Sequence, residues 1–463
     1  MNIKQLRQTI LDRAIRGQLV SQDPTDEPAS VLLERIRAEK EELIKEKKLK
    51  RDKRESQPIE EVPFEIPEGW VWCRLGDIAQ SNIGLTYSPN NISINGTPVL
   101  RSNNIKDDKL LLNDLVRVSG DIQEKNYIKE GDILICARNG SRNLLGKSTI
   151  INNLEEPMTF GAFMAICRSL YNHWIFQTLR TDYFQRYLDF SNSTAINQIT
   201  QSMLLEFPIP LPPLKEQHRI VQKIEQLFAL IDIIEVNKKA LEKLIQQAKN
   251  QVLSDAIAGK LTHQDPNDEP AEELLKRIGK TTAPDTPYEK MLPKGWAWCK
   301  LGDIGKILTG NTPSKGERAF YGNDFPFFKP NDLDIGKVET SLDSLSVLGY
   351  KQARKVPKGS ILVTCIGSIG KTGITQVEGA FNQQINAIIP FECIDNYFIY
   401  YLMLSKEIQE QLNTKASATT IAILNKSKFE NTLIPLPPLA EQHRIVKKIE
   451  TYFSFFDTIE SNL

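Results

Sequence analysis

The sequence has little that would mark a metal-binding or membrane protein. It holds four histidines and six cysteines among 463 residues, and no two cysteines form a Cys-x-x-Cys pair. This excludes the usual zinc patterns and predicts reduced thiols in a cytoplasmic protein. No apolar run reaches the roughly 20 residues that cross a bilayer. We therefore expect neither a metal site nor a membrane partner.

An excess of charge of one sign is also absent, since 58 Lys and Arg balance 58 Asp and Glu. The overall charge therefore gives no reason to expect a polyanionic ligand, unless charge is segregated within the chain. A basic run at residues 45–54 is most simply a solvated helix end, with phosphate contact as the alternative.

Recognisable catalytic and cofactor-binding motifs are missing as well. A P-loop requires Gly, four further residues and then Gly-Lys-Ser/Thr, so that backbone amides surround a phosphate. The chain has Gly-Lys-Ser at 146–148 and Gly-Lys-Thr at 370–372, but Ser141 and Cys365 stand where the leading glycine belongs. We interpret both stretches as surface turns, and an ATP-dependent enzyme is the weaker alternative. No Ser/His/Asp set and no Asn-Pro-Pro-Tyr or Asp-Pro-Pro-Tyr stretch occurs, so we predict no catalytic residue and no cofactor.

What the sequence does contain is one very long helical pattern, from Pro213 to Gly259. Apolar residues recur at alternating steps of four and three, and only Lys238 interrupts them. This heptad pattern requires a second helix along its length. At about 1.5 Å per residue the helix would be roughly 65 Å long. Its predicted seam consists of Ile220, Ile224, Leu227, Ile231, Ile234, Leu241 and Ile245.

The partner helix is predicted in two pieces, because the chain contains an internal repeat. Residues 438–446 repeat residues 213–221, and residues 11–19 match residues 253–261. The two ends of the chain together therefore equal one copy of the central helix, less about one turn. Their predicted seam residues are Ile445, Ile449, Phe456 and Ile459 at the C-terminal end, and Leu6 and Ile10 at the N-terminal end.

Between the helical segments lie two globular units of the same kind. Each begins with Gly-Trp-x-Trp-Cys-x-Leu-Gly-Asp-Ile, within residues 66–78 and 292–304, and each ends in a proline-rich strand. Many short strands combined with helices indicate an α+β fold with a pseudo-twofold, circularly permuted repeat. We predict that the halves of the second long helix are residues 1–20 and 439–463, and that the central helix is residues 214–262. The globular units are predicted at 66–213 and 292–438, and the connecting segments at 21–65 and 263–291.

These features together resemble the specificity subunit of type I restriction-modification systems, over essentially the whole chain. The most specific residues are the twin Pro-Leu-x-Glu-Gln-His-Arg-Ile-Val motifs at 213–221 and 438–446. The twin Gly-Trp starts and the Ala-Ile-x-Gly-x-Leu-x-x-Gln-Asp-Pro elements at 14–24 and 256–266 add to the resemblance.

The resemblance implies a non-catalytic subunit that recognises DNA. Two target-recognition domains would each read one half of a bipartite duplex target. Two antiparallel helices would form a coiled coil that spaces these domains and docks two methyltransferase (M) subunits, and restriction (R) subunits would join through the assembled complex. The alternative from another class is a coiled-coil scaffold whose globular units bind proteins, and sequence-dependent DNA affinity would separate the two hypotheses.

Candidate DNA contacts follow predicted strands at corresponding places in the two units. Side chains at such turns are suited to reach base edges, while phosphate contacts set the register. We align residues 161–163 with 382–384, and Lys147 with Lys371, and expect the difference between these loops to reflect different bases. The predicted contacts are Arg101, Ser102, Asn103, Asn104, Arg138, Asn139 and Lys147 in the first unit, and Lys329, Asn331, Ser368, Lys371, Asn382, Gln383 and Gln384 in the second.

Overall fold

The structure is a computed structural model that describes residues 2–46, 59, 61–191, 198–283, 292–417 and 421–463. It divides into two units, Met1–Val236 and Asn237–Leu463, and each is described by itself. Most of the basic run at 45–54 lies outside the described residues. Within the described part of the chain, no helix combines the length and the apolar character needed to span a bilayer.

The first unit combines helices with many short strands. Its helices α1–α6 span Ile3–Ile15, Ala29–Lys45, Leu75–Ile78, Asn172–Leu179, Asp182–Ser191 and Gln201–Glu206. Its strands β1–β11 span Val71–Arg74, Gln80–Ile83, Ile92–Leu100, Ile105–Lys106, Lys109–Leu110, Val116–Val118, Ile133–Cys136, Ser148–Ile150, Thr159–Phe160, Met164–Arg168 and Pro208–Leu211. The long helix α7, Leu214–Ile257, begins in this unit and ends in the second.

The second unit has a similar order of elements, with an additional helix between β16 and β17 and a long helix at its end. Its helices α8–α13 span Ala271–Arg277, Val347–Gln352, Asn396–Leu404, Lys406–Lys415, Lys426–Glu430 and Leu439–Ser461. Its strands β12–β22 span Ala297–Lys300, Gly305–Thr309, Tyr321–Phe328, Lys337–Val338, Ser344–Leu345, Lys355–Val356, Ile361–Thr364, Thr372–Thr375, Gly379–Phe381, Ile385–Pro390 and Leu433–Leu436.

The main sheets of the two units correspond, although β15 and β17 extend those of the second unit and β4-β5 form a separate pair in the first. In the first unit the orders are β2-β10-β7-β8, β6-β3-β9, β4-β5 and the closing pair β1-β11. In the second they are β13-β21-β18-β19-β15, β16-β14-β20-β17 and the closing pair β12-β22. The pairs β3/β9 and β14/β20 are parallel, whereas most neighbours are antiparallel. This mixture confirms the predicted α+β class and the repeat.

A central strand in each unit is buried on both faces. In β7, Ile133 and Ile135 belong to a core cluster shared with the helices, while Leu134 and Cys136 belong to a second cluster with Phe160. Strand β18 divides its residues between two cores in the same way. A strand covered on both sides has no polar face, which explains why this segment is continuously apolar in the sequence.

Helix α7 has the predicted length and ends at the predicted residue. Its 44 residues correspond to about 66 Å. Gly259 follows its last turn with φ +68°, and a Cβ there would lie 2.2 Å from the Cγ of Pro293. Only glycine combines this left-handed conformation with so close a contact, so the cap is set by the residue type.

The predicted helix–helix seam forms within each unit, and the helices are antiparallel. In the first unit Ile10, Ile220, Ile224 and Ile231 are buried, and Leu6 and Leu227 are partly buried. The guanidinium of Arg7 in α1 lies 4.9 Å from the Phe228 ring centroid and pairs with Asp232 of α7, whereas Gln22, just beyond α1, reaches Glu216 at the start of α7.

In the second unit Ile245, Ile445 and Ile449 are buried, and Phe456 and Ile459 are partly buried. Lys249 of α7 pairs with Asp457 at 2.8 Å and with Glu460 at 2.9 Å. Lys238, which interrupts the heptads, donates to the carbonyl oxygen of Leu463 at 3.0 Å. A cation is suited to that place because carbonyl groups at a helix end lack helical partners.

The assignment of Ile234 and Leu241 to the seam is wrong. These side chains are 46% and 36% exposed, whereas Phe228, which the heptad register leaves out, is buried. The two exposed positions lie near the ends of the partner helices, since Arg7 in the first turns of α1 pairs with Asp232 and Leu463, just beyond α13, accepts from Lys238. The later heptad position Ile245 is again buried.

The repeated Pro-Leu-x-Glu-Gln-His-Arg motif has a structural explanation in the first unit. The carboxylate of Glu216 is buried and accepts hydrogen bonds from Trp70 Nε1 at 3.0 Å and from Gln22 Nε2 at 3.1 Å. Gln217 donates to the carbonyl of Pro212 at 2.9 Å, and Arg219 pairs with Asp26 at 2.7 Å. The second unit repeats these bonds through Glu441, Gln442 and Arg444. Each motif thus ties the helix start to the Gln-Asp-Pro turn and to the Gly-Trp segment.

Candidate nucleic-acid interface

Loops after three strands converge at one edge of the first unit, which we call the first edge. Strands β3 and β9 end side by side, and the amide of Gly161 donates to the carbonyl of Leu100 at 3.0 Å. Strand β7 ends beside them, because the amides of Ala137 and Arg138 both donate to the carbonyl of Phe163 at 2.9 Å. The first edge consists of residues 101–104, 114, 137–147 and 161–163.

The turn after β3 is held by a buried amide. Asn104 is 1% exposed; its Oδ1 accepts from the amide of Arg101 at 2.9 Å, and its Nδ2 donates to the carbonyls of Leu111 and Asp114. These bonds occupy the side chain in shaping the turn. Asn104 is therefore a structural residue, and we remove it from the predicted DNA contacts.

The other predicted residues of the first unit lie together on the first edge. Arg138 is exposed, and its guanidinium lies 5.3 Å from the centroid of the Phe163 ring, which is itself 58% exposed. Asn139 Nδ2 lies 3.5 Å from Ser102 Oγ and links two of the loops. Lys147 is half-buried at the end of its loop, after Gly146 with φ +76°. The interpretation of Gly-Lys-Ser as a turn agrees with this backbone, but Gly146 and Ser148 are buried and only Lys147 is partly accessible.

The second unit builds an equivalent edge, which we call the second edge, from residues 329–332, 343, 365–371 and 382–384. Here β14 and β20 end side by side, and the amide of Asn382 donates to the carbonyl of Phe328 at 3.1 Å. The amide of Cys365 donates to the carbonyl of Gln384 at 2.7 Å. These bonds match those of the first edge, so 382–384 do correspond to 161–163.

Side chains on the second edge differ from those on the first. Asn331, Ser368 and Gln383 are exposed, and Lys371 pairs with Asp334 at 2.7 Å. Asn382 is buried. Its Oδ1 accepts from the backbone amide of Gln384 at 3.1 Å, and its Nδ2 donates to Oε1 of Gln384 at 2.9 Å. Asn382 therefore shapes the loop, and we remove it too from the predicted DNA contacts.

One loop differs in length between the edges. The amides of Gly146 and Gly370 donate to the carbonyls of Cys136 and Thr364, each at 3.0 Å, and close equivalent loops. The enclosed residues are 137–145 in the first unit and 365–369 in the second, a difference of four. The longer loop carries Arg142, which pairs with Asp189 at 2.8 Å. The same backbone frame thus presents different shapes and side chains.

The cysteines near the edges, Cys136 and Cys365, are buried. Burial raises the pKa of Cys365 to about 11 and raises the pKa of Cys136 as well. Both thiols stay protonated at neutral pH, and the thiolate is the nucleophilic form. They serve as small apolar side chains at the ends of the central strands.

Sequence reasoning missed two acidic residues at the edges. Asp114 accepts from Arg101 Nη2 at 3.3 Å and from Asn103 Nδ2 at 2.8 Å, and Asp343 pairs with Lys329. A signal was present, since each acid stands 13 or 14 residues after the basic residue that ends its strand. An alignment of the two units at Arg101 and Lys329 would have found it.

Comparison with known proteins identifies the family. The sequence model described as the type I restriction modification DNA specificity domain matches residues 67–243 and 293–463, more than half of the chain. The EcoAI specificity subunit of Escherichia coli is 31% identical, over 97% of this chain and 88% of that one. The chain belongs to the type I restriction-modification specificity subunits. The EcoEI specificity subunit of E. coli, 28% identical over 100% of this chain and 91% of that one, agrees.

Two solved structures share the fold of this specificity subunit. The HsdS subunit from Thermoanaerobacter tengcongensis matches with a TM-score of 0.55 and 20% identity, over 86% of this chain and 93% of that one. A chain from a study of complex assembly in the type I R-M system matches with a TM-score of 0.61 and 20% identity, over 86% and 94%. The seven-segment division of this subunit stays a prediction, because neither the two units nor the matched ranges resolve its borders.

Membership in this family makes DNA recognition the role of the specificity subunit. It favours DNA recognition over the scaffold hypothesis for the two globular units. The first and second edges each combine exposed or half-buried cations, amides and hydroxyls, the groups that contact base edges and phosphates.

Proposed function

We propose that this subunit reads a bipartite duplex DNA target, with the first edge on one half and the second edge on the other. The observation that carries the proposal is that the two edges share one backbone frame but differ in side chains and loop length. Identical readers would require a symmetric target, whereas different readers recognise two unrelated half-sites. The subunit itself is non-catalytic, and its partners are two M subunits and, through the assembled complex, R subunits. The free cysteines favour a cytoplasmic location.

The proposed contacts are the predicted residues that the structure leaves accessible. Cations and amides at these positions reach guanine and adenine in the major groove, or phosphates beside it. They are Arg101, Ser102, Asn103, Arg138, Asn139 and Lys147 on the first edge, and Lys329, Asn331, Ser368, Lys371, Gln383 and Gln384 on the second.

Exposed apolar side chains on α7 support docking of the methyltransferase. In the part of α7 within the first unit, Leu230, Ile233 and Ile234 are each about half exposed or more, and in the second unit Leu241 and Leu244 are exposed. Several exposed apolar side chains on one helix are typical of protein interfaces. We propose that Ile234 in the first unit and Leu241 in the second, which lie outside the seam, contact methyltransferase subunits.

Exchange of one unit tests independent reading. Strands β1 and β11 pair from Val71↔Leu211 to Arg74↔Pro208, so the first and last strands of the unit lie together. Replacing residues 71–211 with the matching segment of another specificity subunit leaves the hydrogen bond between Trp70 and Glu216 in place. The exchange should change one half-site only. The target is read by methylome sequencing of cells that carry the variant and its methyltransferase.

The matched control is the exchange of residues 297–436 in the second unit, where β12 and β22 pair in the same way. That exchange should change the other half-site and leave the first intact. A change of both half-sites after either exchange would show that the units do not read independently.

The length of α7 is expected to set the spacer between the half-sites. Duplicating residues 240–243 adds Ala-Leu-Glu-Lys after Lys243 and lengthens the helix by about 6 Å. DNA rises about 3.4 Å per base pair, so the spacer should grow by one or two base pairs while both half-sites stay the same. Four residues also preserve the apolar stripe, as a stutter in the heptads.

Deleting the same four residues provides the opposite control and should shorten the spacer. Methylome sequencing measures both variants. If an active insertion variant keeps the original spacer, the helix does not act as a ruler.

A further inference from the structure

Each edge holds its strand-end cation against an aspartate. On the first edge, Asp114 Oδ2 accepts from Arg101 Nη2 at 3.3 Å and from Asn103 Nδ2 at 2.8 Å. On the second edge, Asp343 pairs with the ammonium of Lys329, which also lies 5.7 Å from the Phe327 ring centroid. The cation is arginine in one unit and lysine in the other, yet the pairing is kept.

The two aspartates occupy the same place in the fold. Asp114 lies just before β6, which pairs with β3, the strand that Arg101 directly follows. Asp343 lies just before β16, which pairs with β14, the strand that Lys329 directly follows. The backbone of the cation is fixed in both cases by a buried side chain three residues later, Asn104 or Asp332. The geometry of the edge therefore delivers a carboxylate to the cation twice, in two diverged units.

Stability of the fold does not account for these pairs. The Asp114 side chain is 76% exposed, and the Asp343 side chain is 46% exposed. Ion pairs in such positions contribute little to stability, because water screens them and ordering two side chains costs entropy. An exposed carboxylate beside DNA also repels phosphate, so the pairs do not serve non-specific affinity either.

We propose that Asp114 and Asp343 are positioning residues for base reading, an inference that rests on the proposed function. Each carboxylate fixes the direction of the donors of Arg101 or Lys329, as recognition of the guanine O6 and N7 acceptors requires. Each also neutralises the cation, which would otherwise bind any phosphate. The aspartates act through the cations, lowering affinity for random DNA and raising discrimination at one base pair in each half-site.

Asp114→Asn and Asp343→Asn test the proposal in the full-length subunit assembled with its methyltransferase. Binding to a library randomised over the half-sites should show about tenfold weaker discrimination at a single base pair. Asp114→Asn should weaken discrimination at the same base pair as Arg101→Gln. Asp343→Asn should do so at the same base pair as Lys329→Gln. Affinity for random DNA should rise, and the slope of log K against log salt should steepen by about one for each freed cation.

A double-variant cycle separates positioning from direct reading. If Asp114 acts through Arg101, Asp114→Asn adds no further loss of discrimination in an Arg101→Gln background. Asp114→Glu, which keeps the charge, should restore most of the discrimination. Relaxation of a different base pair, or an additive loss in the double variant, would overturn the proposal.

Glu27→Gln and Glu269→Gln are matched controls, since each removes the carboxylate of an exposed Arg–Glu pair away from the edges. They should leave both base discrimination and affinity for random DNA unchanged. If they change these quantities as much as the aspartate variants do, the effect comes from the net charge of the chain, and the proposal is overturned. The wild-type complex separates the proposed function from the positioning role. If the wild-type complex recognises no bipartite target, the proposed function fails. If it recognises one and the Asp114→Asn variant reads that target with unchanged discrimination, only the positioning role is contradicted.

Discussion

Replacing Ile231 with aspartate is expected to destabilise the first unit by about 3 to 5 kcal/mol, because the change removes an apolar side chain from the seam and places a carboxylate there. Ile231 is 4% exposed and belongs to the core cluster that joins α1, α7 and the helices of the first unit. Its loss should lower the denaturant midpoint of the first unit, or prevent isolation of the folded chain. Chemical denaturation of the purified chain measures the effect.

Ile234→Asp is the matched control for this prediction. It introduces the same charge into the same helix three residues later, at a side chain that is 46% exposed. Because that carboxylate stays in water, the free energy of unfolding should change by about 0.5 kcal/mol or less. Equal losses in the two variants would contradict the seam that the structure shows. Ile234→Asp also serves the docking proposal, since it should weaken methyltransferase binding while the chain stays folded.

Replacing Glu216 with glutamine is expected to cost about 2 to 4 kcal/mol, although the shape of the side chain hardly changes. Both carboxylate oxygens of Glu216 face donors, Trp70 Nε1 at 3.0 Å and Gln22 Nε2 at 3.1 Å. A glutamine presents an NH₂ group to one of them, so two buried donors would face each other. The substitution also removes a negative charge from the first turn of α7, where the helix dipole favours it.

Hydrogen exchange resolved by peptide tests this prediction and locates the effect. Glu216→Gln should reduce protection around the Gln-Asp-Pro turn and the Gly-Trp segment of the first unit, and Glu441→Gln should do the same in the second unit. Glu225→Gln, an exposed position on the same helix, is the control and should leave protection unchanged. Full protection in the Glu216 variant would show that the buried network contributes nothing to the junction.

Several features of this protein could be predicted from sequence because their signals are local or repeated. The heptads and Gly259 predict a helix whose length and end the structure confirms. Two copies of one motif, 225 residues apart, predict two equivalent units, because each copy needs the same turn and Gly-Trp partners. The glycine turns before Lys147 and Lys371 follow from residue type, since glycine adopts positive φ without strain.

Other features depend on which side chains are buried, and the identity of a polar residue does not reveal its burial. Asn104 and Asn382 are as polar as Asn103 and Gln383, yet they lie inside their loops and bond to backbone or neighbouring groups. Ile234 fits the heptads as well as Ile231 does, yet its side chain is 46% exposed, because it lies close to where the partner helix α1 begins.

The sequence by itself determined the family, the repeat, the long helix and the α+β class, because these follow from periodicity and from motifs that the chain states twice. The tertiary structure alone decided which polar side chains share an edge. Strands that are distant in sequence end side by side there, so Arg138 meets Phe163, and Asn139 meets Ser102, only after the sheets have formed. It also decided that each strand-end cation faces an aspartate, because the strand that follows the acid pairs with the strand that precedes the cation.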